Sequence, residues 1–543
     1  MNSKRLSRIA RSIVLGTLSR IVRVALLPVH VNFDKHLRDP KKAQDKAIKK
    51  ILEDISNTEY GRNYGINALD SYKDFSNKLP IATYEELGPW VERQIRTAGN
   101  ILVNEKVPFY EKTSGSSGPF KLIPYTKSHL KSFHHMFLLW FYDLLKNGPK
   151  FRTAKIFASI SPFLFVQDAS TETLKIGLEK DEEYLPGWIQ MLFRSFWVLP
   201  GHIAKLRSAE NFKRVASLYL ISEEDLETIL IWSPSYFTNL IDYIEQNSDL
   251  LIQDLSKGHI QLEGLEFRFN KISDQRLSIL REKPTSWAAF WPGLKLVSCW
   301  DNALANSGAN YLRETFPRTL IQGKGLLATE GPMTFPLIAS GGYVPLLDRV
   351  FFEFQDESGR ILRMHELSEG KEYEVIISIP GGFTRYRIGD VIRVTHFYRE
   401  TPCFEFIGRV GIMSDLVGEK LTEPFVKKVI QGLPLSGSRF QMLAPVTHEK
   451  RPYYVLLVDH LPDDMKAYTD TLDDLLQESH RYRSARLLGQ LEKAEVVLNP
   501  NAEEMYLDYF SKAGMKRGNI KHRYLFNKPI DALMKMENHA NHV

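Results

Sequence analysis

The stretch Thr113-Ser114-Gly115-Ser116-Ser117-Gly118-Pro119-Phe120-Lys121 is a short run of hydroxyls and glycines that ends on a lysine. Each residue type in it suits a phosphate. Gly115 and Gly118 let the backbone take conformations closed to other residues and come close to a ligand. Ser114, Ser116 and Ser117 offer hydroxyl donors beside the backbone N–H groups, and Lys121 adds a positive charge. The same run also reads as a flexible serine–glycine turn. It is not the G-x-x-x-x-G-K-[ST] loop of the P-loop nucleotide binders, a pattern absent from this chain.

The flanking residues say how such a loop would be held. Apolar Val107–Tyr110 precedes it and Leu122–Tyr125 follows, which predicts a loop between two strands. Residues 34–100 read as helices, with clear periods at Lys41–Asn57 and Tyr84–Arg96. Lys127–Lys146 reads as a long amphipathic helix, and Ala154–Asp168 as strand-like. From 187 to 255 helical stretches alternate with short apolar runs such as Thr228–Trp232, the texture of an α/β architecture. A strand at Leu294–Val297, a helix at Asn306–Thr315 and a strand at Thr319–Gln322 continue it. Residues 343–408 are β-rich, with strand candidates at Val350–Phe354, Tyr373–Ile379, Asp390–Thr395 and Phe404–Ile407. After Gly408-Arg409 the texture changes to a smaller α+β unit. Its helices are expected at Thr422–Gly432, Thr469–Ser479 and Ala502–Ala513, and its strands at Phe440–Val446, Tyr453–Asp459 and Ala494–Leu498.

A chain of 543 residues predicts two or three domains. With 43% hydrophobic and 25% charged residues it has the composition of an ordinary globular protein. Its two cysteines, Cys299 and Cys403, exclude a disulfide framework and fit a reducing cytoplasm. No zinc-ligand pattern occurs, and His134-His135 reads as a pair on a helix surface. The net charge of +6 is local: residues 1–33 hold Lys4, Arg5, Arg8, Arg11, Arg20 and Arg23 and no acid, so the rest of the chain is balanced. A nucleic-acid footprint is therefore not expected. Lys4, Arg8 and Arg11 share one helical face with Leu6, Ile9 and Ile13 opposite, and Ile13–Leu27 is apolar nearly all round apart from Arg20 and Arg23. No run is expected to span a bilayer. Packing of this helix on the protein body is favoured over peripheral contact of residues 4–27 with an anionic membrane surface. The acid-free, Arg-rich start also resembles a transit peptide.

The loop at 113–121 resembles the T-S-G-[ST]-T-G-x-P-K signature of the acyl-adenylate-forming enzymes, with Ser117 in place of the second threonine and Pro119-Phe120 in place of x-Pro. Three later segments resemble that superfamily in the same order. Leu326-Leu327-Ala328-Thr329-Glu330-Gly331 is similar to Y-G-x-T-E, with leucines at the tyrosine and glycine positions. Arg385-Tyr386-Arg387-Ile388-Gly389-Asp390 matches Y-R-x-G-D, and Gly408-Arg409-Val410-Gly411 resembles the G-R-x-[DS] hinge. Phe351-Phe352-Glu353-Phe354, Tyr373-Glu374-Val375, Gly418-Glu419-Lys420-Leu421-Thr422-Glu423 and Asp508-Tyr509-Phe510 narrow the resemblance to the acyl acid amido synthetases. These are the plant auxin-responsive family with bacterial relatives.

The resemblance implies a large adenylating-enzyme domain at 1–409 (sheets plus a β-barrel, helices packed on them), a hinge at 410–417 and a mobile α+β domain at 418–543. It implies ATP as substrate and Mg²⁺ as cofactor. Ser114, Gly115, Ser116, Ser117, Gly118 and Lys121 would hold the phosphates. Thr329 would meet the α-phosphate, Glu330 would bind Mg²⁺, Asp390 would anchor the ribose and Arg409 would contact ribose or phosphate. Lys420 or Lys521 would neutralise charge at the α-phosphate. The activity implied is adenylation of a small carboxylic acid, then amide formation with an amine such as an amino acid. Two alternatives stand beside it. One is an acyl-CoA ligase, whose usual P-R-T-x-x-G-K ending is missing here. The other is a binding or membrane-peripheral protein that keeps a degenerate adenylation fold.

Overall fold

A computed structural model describes residues 2–97, 99–113, 121–160, 196–282, 284, 286–302, 305–409, 411, 413–433, 438, 440–447, 451–460, 465–512 and 523–534. Helix α1 spans Asn2–Arg38 and α2 spans Pro40–Ile55. The Asp39 carboxylate accepts the Lys42 N–H and Pro40 opens the first turn, so the sequence itself sets where α2 begins. The apolar stripe of α2, from Ala43 to Ile55, is buried. After α3 (Tyr84–Thr97), strands β1 (Phe109–Thr113) and β2 (Lys121–Tyr125) pair antiparallel with Thr113 opposite Lys121. The expected strand–loop–strand frame is therefore present, while Ser114, Gly115, Ser116, Ser117 and Gly118 lie outside the described residues. Helix α4 (Lys127–Asn147) follows, capped by Thr126, whose hydroxyl accepts the His129 N–H.

The α/β alternation becomes a four-stranded parallel sheet in the order β3 (Lys155–Ala158), β4 (Leu226–Leu230), β5 (Leu296–Ser298), β6 (Leu320–Gln322). Helices α5 (Ala209–Ser222), α6 (Pro234–Gln246) and α7 (Asn306–Thr315) contribute to its core. Strands this short and buried need continuous apolar runs, which is why Thr228–Trp232 stood out in the sequence. β3 ends at Ala158, and residues 161–168 of the stretch read as strand-like lie outside the described residues.

The β-rich segment is a five-stranded antiparallel sheet in the order β8 (Ile361–Arg363), β7 (Phe351–Gln355), β9 (Glu372–Ser378), β10 (Tyr386–Tyr398), β11 (Thr401–Arg409). Among the described residues its hydrogen-bond ladder runs from one edge strand to the other. β8 and β11 are its edges, and the hairpin Thr334–Leu337/Gly342–Pro345 packs against β11. This sheet, α2, α4 and the β1–β2 hairpin share one large core.

The C-terminal unit has a three-stranded sheet in which β12 (Gln441–Val446) pairs antiparallel with β13 (Tyr453–Val458), and β13 pairs parallel with β14 (Glu495–Leu498). Its pleat sends alternate residues to two cores. Leu443, Leu456 and Val458 meet α8 (Glu423–Gln431), α9 (Met465–Leu476) and α10 (His480–Leu487), while Met442, Ala444 and Leu457 meet α11 (Ala502–Lys512). This unit touches the parallel-sheet region through Arg451, 3.4 Å from Asp242, and Gln490, 3.5 Å from Ser235.

Two sequence readings are corrected here. His135 is not a surface residue: its side chain is 11% exposed and its Nε2 lies 2.9 Å from the Asp348 carboxylate. This contact ties α4 to the turn that carries Asp348. In α1, the stretch Ser12–Arg38 is long and apolar enough to cross a membrane by length and composition, contrary to expectation, because isolated arginines do not break the window. Val22, Leu26, Phe33 and Leu37 along this helix are buried against the protein, while 11% of the apolar window is buried.

Candidate active site

Three motifs far apart in sequence meet at Tyr386. Its hydroxyl lies 3.4 Å from Lys121 Nζ at the start of β2, and donates to Glu330 Oε1, also at 3.4 Å. Lys121 also sits over the Tyr84 ring of α3, 5.4 Å from its centroid. The Tyr84 hydroxyl in turn accepts the Leu122 N–H at 2.7 Å, so one aromatic ring fixes both the strand and its lysine.

Glu330 is the second residue of a two-residue hairpin turn: Ala328 pairs with Gly331, leaving Thr329-Glu330 at the tip. Two groups from below hold this tip. The Tyr125 hydroxyl donates to the Thr329 carbonyl at 2.8 Å. The fully buried His129 ring lies under Gly331 and Gly381, edge-on to Tyr125 and Phe133. Neither His129 ring nitrogen makes a hydrogen bond of ordinary geometry. Burial lowers its pKa to about 4, and the weaker pull of the Thr329 backbone acts in the opposite sense, so the ring is neutral at pH 7. Leu326, at the position of the superfamily tyrosine, is buried in the main core. Its side chain packs there and is not placed to stack on a ligand.

β10 separates structural from site residues within one six-residue motif. Arg385 has φ +49, in the left-handed region. It is held there by a buried fork–fork pair with Glu353, at 2.8 and 2.9 Å, and by the carbonyls of Ser76 and Leu79. The Tyr72 hydroxyl donates to the same Glu353 carboxylate. Arg387 pairs with Glu374 and Gln355. Tyr386 and Asp390 are both buried. Between them the pairing with β9 is irregular: Arg387 faces Ile376 and Val391 faces Glu374, so three residues of β10 oppose Val375 alone. Gly389 takes φ +83 there, a conformation that other residues adopt only with strain. Asp390 stands directly opposite Arg409 of β11 in the strand register, which brings the third and fourth motifs onto neighbouring strands.

The segment expected to be a hinge follows β11. Met413-Ser414 pairs with Leu421-Thr422, closing a loop around Glu419. The buried Glu419 carboxylate accepts the N–H groups of Leu416 and Val417 at 2.7 and 2.8 Å and the Tyr454 hydroxyl. Burial, together with the nearby Asp415 carboxylate, pushes the Glu419 carboxyl up to about 7 against the pull of those donors. The next residue, Lys420, is half-buried with φ +48. Gly418 has φ +109, and a side chain there would meet Trp300 of the larger domain. Lys521 lies outside the described residues.

Sequence reasoning placed Lys121, Thr329, Glu330, Asp390 and Arg409 in one site, and the fold brings their segments together. It missed Tyr84, Tyr125, His129, Tyr386 and Glu419. Tyr386 and Glu419 lie inside motifs visible in the sequence, whereas Tyr84, Tyr125 and His129 carry no such signal. Glu330 is a single buried hard carboxylate, which suits an Mg²⁺ whose other ligands are phosphate oxygens and water. Among the described residues no cluster of three or more candidate metal ligands exists.

Residues 29–321 match the GH3 family N-terminal domain, 343–409 the GH3 family central domain and 422–530 the GH3 family C-terminal domain. The chain is 24% identical over 436 residues to indole-3-acetic acid-amido synthetase GH3.4 of Arabidopsis thaliana, covering 73% of this chain and 71% of that protein. Its fold is similar to that of AtGH3.15 acyl acid amido synthetase in complex with 2,4-DB, with a TM-score of 0.63, 18% identity and coverage of 95% and 96% of the two chains. It is also similar to 2-hydroxyisobutyryl-CoA ligase in complex with 2-HIB-AMP and CoA, with a TM-score of 0.54, 14% identity and 94% of each chain covered.

Proposed function

Since this chain belongs to the GH3 family, we propose that it is an ATP-dependent, AMP-forming ligase that adenylates a small carboxylic acid and transfers the acyl group to an amino acid. The observation that carries the reading is the meeting of Lys121, Tyr386 and Glu330, three motifs in one polar cluster. The names of the relatives support the same chemistry.

In the first step a carboxylate oxygen of the acid attacks the α-phosphorus of ATP and pyrophosphate leaves. Such chemistry is positioning and charge neutralisation. Ser114, Gly115, Ser116, Ser117, Gly118 and Lys121 hold the phosphates. Thr329 meets the α-phosphate, Asp390 accepts the ribose hydroxyls and Arg409 contacts ribose or phosphate. Glu330 would hold Mg²⁺, which when bound neutralises phosphate charge. Tyr386 orients Lys121 and Glu330 from between. Lys420 or Lys521 brings a further positive charge from the smaller domain, which occupies 418–543 and turns about 410–417 relative to 1–409. In the second step the amine attacks the acyl carbon, AMP leaves and the amine loses a proton. The reading places the enzyme in the cytoplasm and includes a peripheral membrane contact through residues 4–27.

Pyrophosphate release with a panel of carboxylic acids tests the first step. Acid-dependent release is expected, and silence across a broad panel would favour a degenerate binding protein. Mass spectrometry after addition of amino acids or CoA tests the second. An acyl-CoA product in place of an amide would overturn the amino acid acceptor in favour of a thiol.

A further inference from the structure

Helix α1 is packed on one side only. Leu18, Val22 and Leu26 meet Leu138, Phe141, Tyr142 and Leu145 of α4, and Phe33 and Leu37 enter the main core. His30 stacks on Tyr142 with ring centroids 4.3 Å apart. On the opposite side Ile13, Val14, Ile21, Val24, Leu27 and Val31 are 44–72% exposed. At 3.6 residues per turn these six fall within an arc of about 140°, and the span from Ile13 to Val31 is about 27 Å long. Eleven large apolar side chains are exposed among the described residues, and six of them are on this one face. Scattered exposed apolar residues need no explanation, but a concentration of this kind marks an interaction surface.

Charge identifies the occupant. Arg20 is exposed within the arc and Arg23 is exposed beside it, and the helix begins with Lys4, Arg5, Arg8 and Arg11 without a single acid before Asp34. A second copy laid on this face would bring two such basic segments together. An anionic surface would be complementary to them. The orientation follows from the packing. A spanning helix needs about 20 residues clear of the protein body, and here Val22 and Leu26 are already docked on α4. We infer that α1 is an in-plane membrane anchor, which seats the folded enzyme on an anionic bilayer through the Ile13–Val31 face. This deepens the membrane contact of the proposed function and is independent of the adenylation chemistry.

The test is co-sedimentation of the full chain with vesicles of phosphatidylcholine alone or mixed with phosphatidylglycerol, at about 0.1 M and about 1 M salt. The unchanged protein is expected to sediment with the mixed vesicles at low salt and to be released, at least in part, at high salt. Ile21→Glu with Val24→Glu is expected to lower that binding at least tenfold. A control variant at an exposed apolar site elsewhere, Leu498→Glu, is expected to bind as before. Acid-dependent pyrophosphate release should be the same in all three proteins, which separates failure of the anchor from failure of the enzymatic reading. The inference is overturned if the unchanged protein stays in the supernatant with anionic vesicles, or if the double variant binds as well as the parent. A dimer by light scattering that dissociates in the double variant, without vesicle binding, would overturn it in favour of a second copy.

Discussion

Acidification should unseat the Thr329-Glu330 tip through His129. The ring is fully buried and held neutral, with its pKa lowered by burial from the ordinary 6.5 to about 4. In the unfolded chain it takes up a proton near 6.5, and in the folded protein only near 4. Between those values the unfolded state binds more protons, so stability falls as pH falls through that window. At about 1.4 kcal/mol per pH unit the gap corresponds to about 3.4 kcal/mol, of which about 2.5 kcal/mol is lost by about pH 4.5. His129→Leu removes the titration and keeps an apolar side chain of similar volume. Urea unfolding, followed by fluorescence from about pH 7.5 to about pH 4.5, is the assay. The variant is expected to start lower, because the ring contacts with Tyr125 and Phe133 are lost, but to fall less steeply than the parent by about 2.5 kcal/mol across the window. Other titrating groups act in both proteins and cancel in the difference. Parallel stability curves would refute the reasoning, since they would mean that His129 carries its proton equally well folded and unfolded.

Tyr386→Phe removes the hydroxyl between Lys121 and Glu330; pyrophosphate release is expected to fall about tenfold with little change in unfolding midpoint, and parental rates would remove Tyr386 from the site. Glu353→Ala leaves the Arg385 guanidinium buried without its carboxylate, and a loss of about 3–5 kcal/mol is expected in urea unfolding, a loss under about 1 kcal/mol contradicting the anchoring role. In Glu419→Gln the amide oxygen can serve only one of the two backbone N–H groups, so about 1–3 kcal/mol of stability should be lost. Because Lys420 follows directly, adenylation by that variant is expected to slow about tenfold, and an unchanged midpoint and rate would show that Glu419 does not position the loop. Glu330→Ala and Asp390→Ala are each expected to abolish most acid-dependent pyrophosphate release; near-normal release in either would displace it from the proposed site.

Much of the fold was legible because its elements carry their own periodicity. α7 spans Asn306–Thr315 as read from the sequence, and α2, α4 and the short buried strands lie within a few residues of their expected ends. Where reading failed, the cause was tertiary. His135 looked like one of a polar surface pair, because nothing in its neighbourhood announces Asp348, more than two hundred residues away. The bulge opposite Val375 depends on how two strands pair, and neither strand shows it alone.

The sequence by itself determined the chemical inventory: a hydroxyl-rich loop closing on Lys121, a Thr329-Glu330 pair, Asp390 and a basic, acid-free first helix. It determined their order and the strands and helices that carry them, because residue type and periodicity are local properties. Only the tertiary structure decided which residues of each motif reach the site. It assigned Arg385 to a buried pair with Glu353 and Tyr386 to the bridge between Lys121 and Glu330, although the two are adjacent in sequence. It also decided that α1 packs with one face and exposes the other, since the periodicity of an apolar helix does not say which side a partner will cover. The physical reason is the same in both cases: burial and pairing are relations between distant segments, fixed only when the sheets and cores that bring them together have formed.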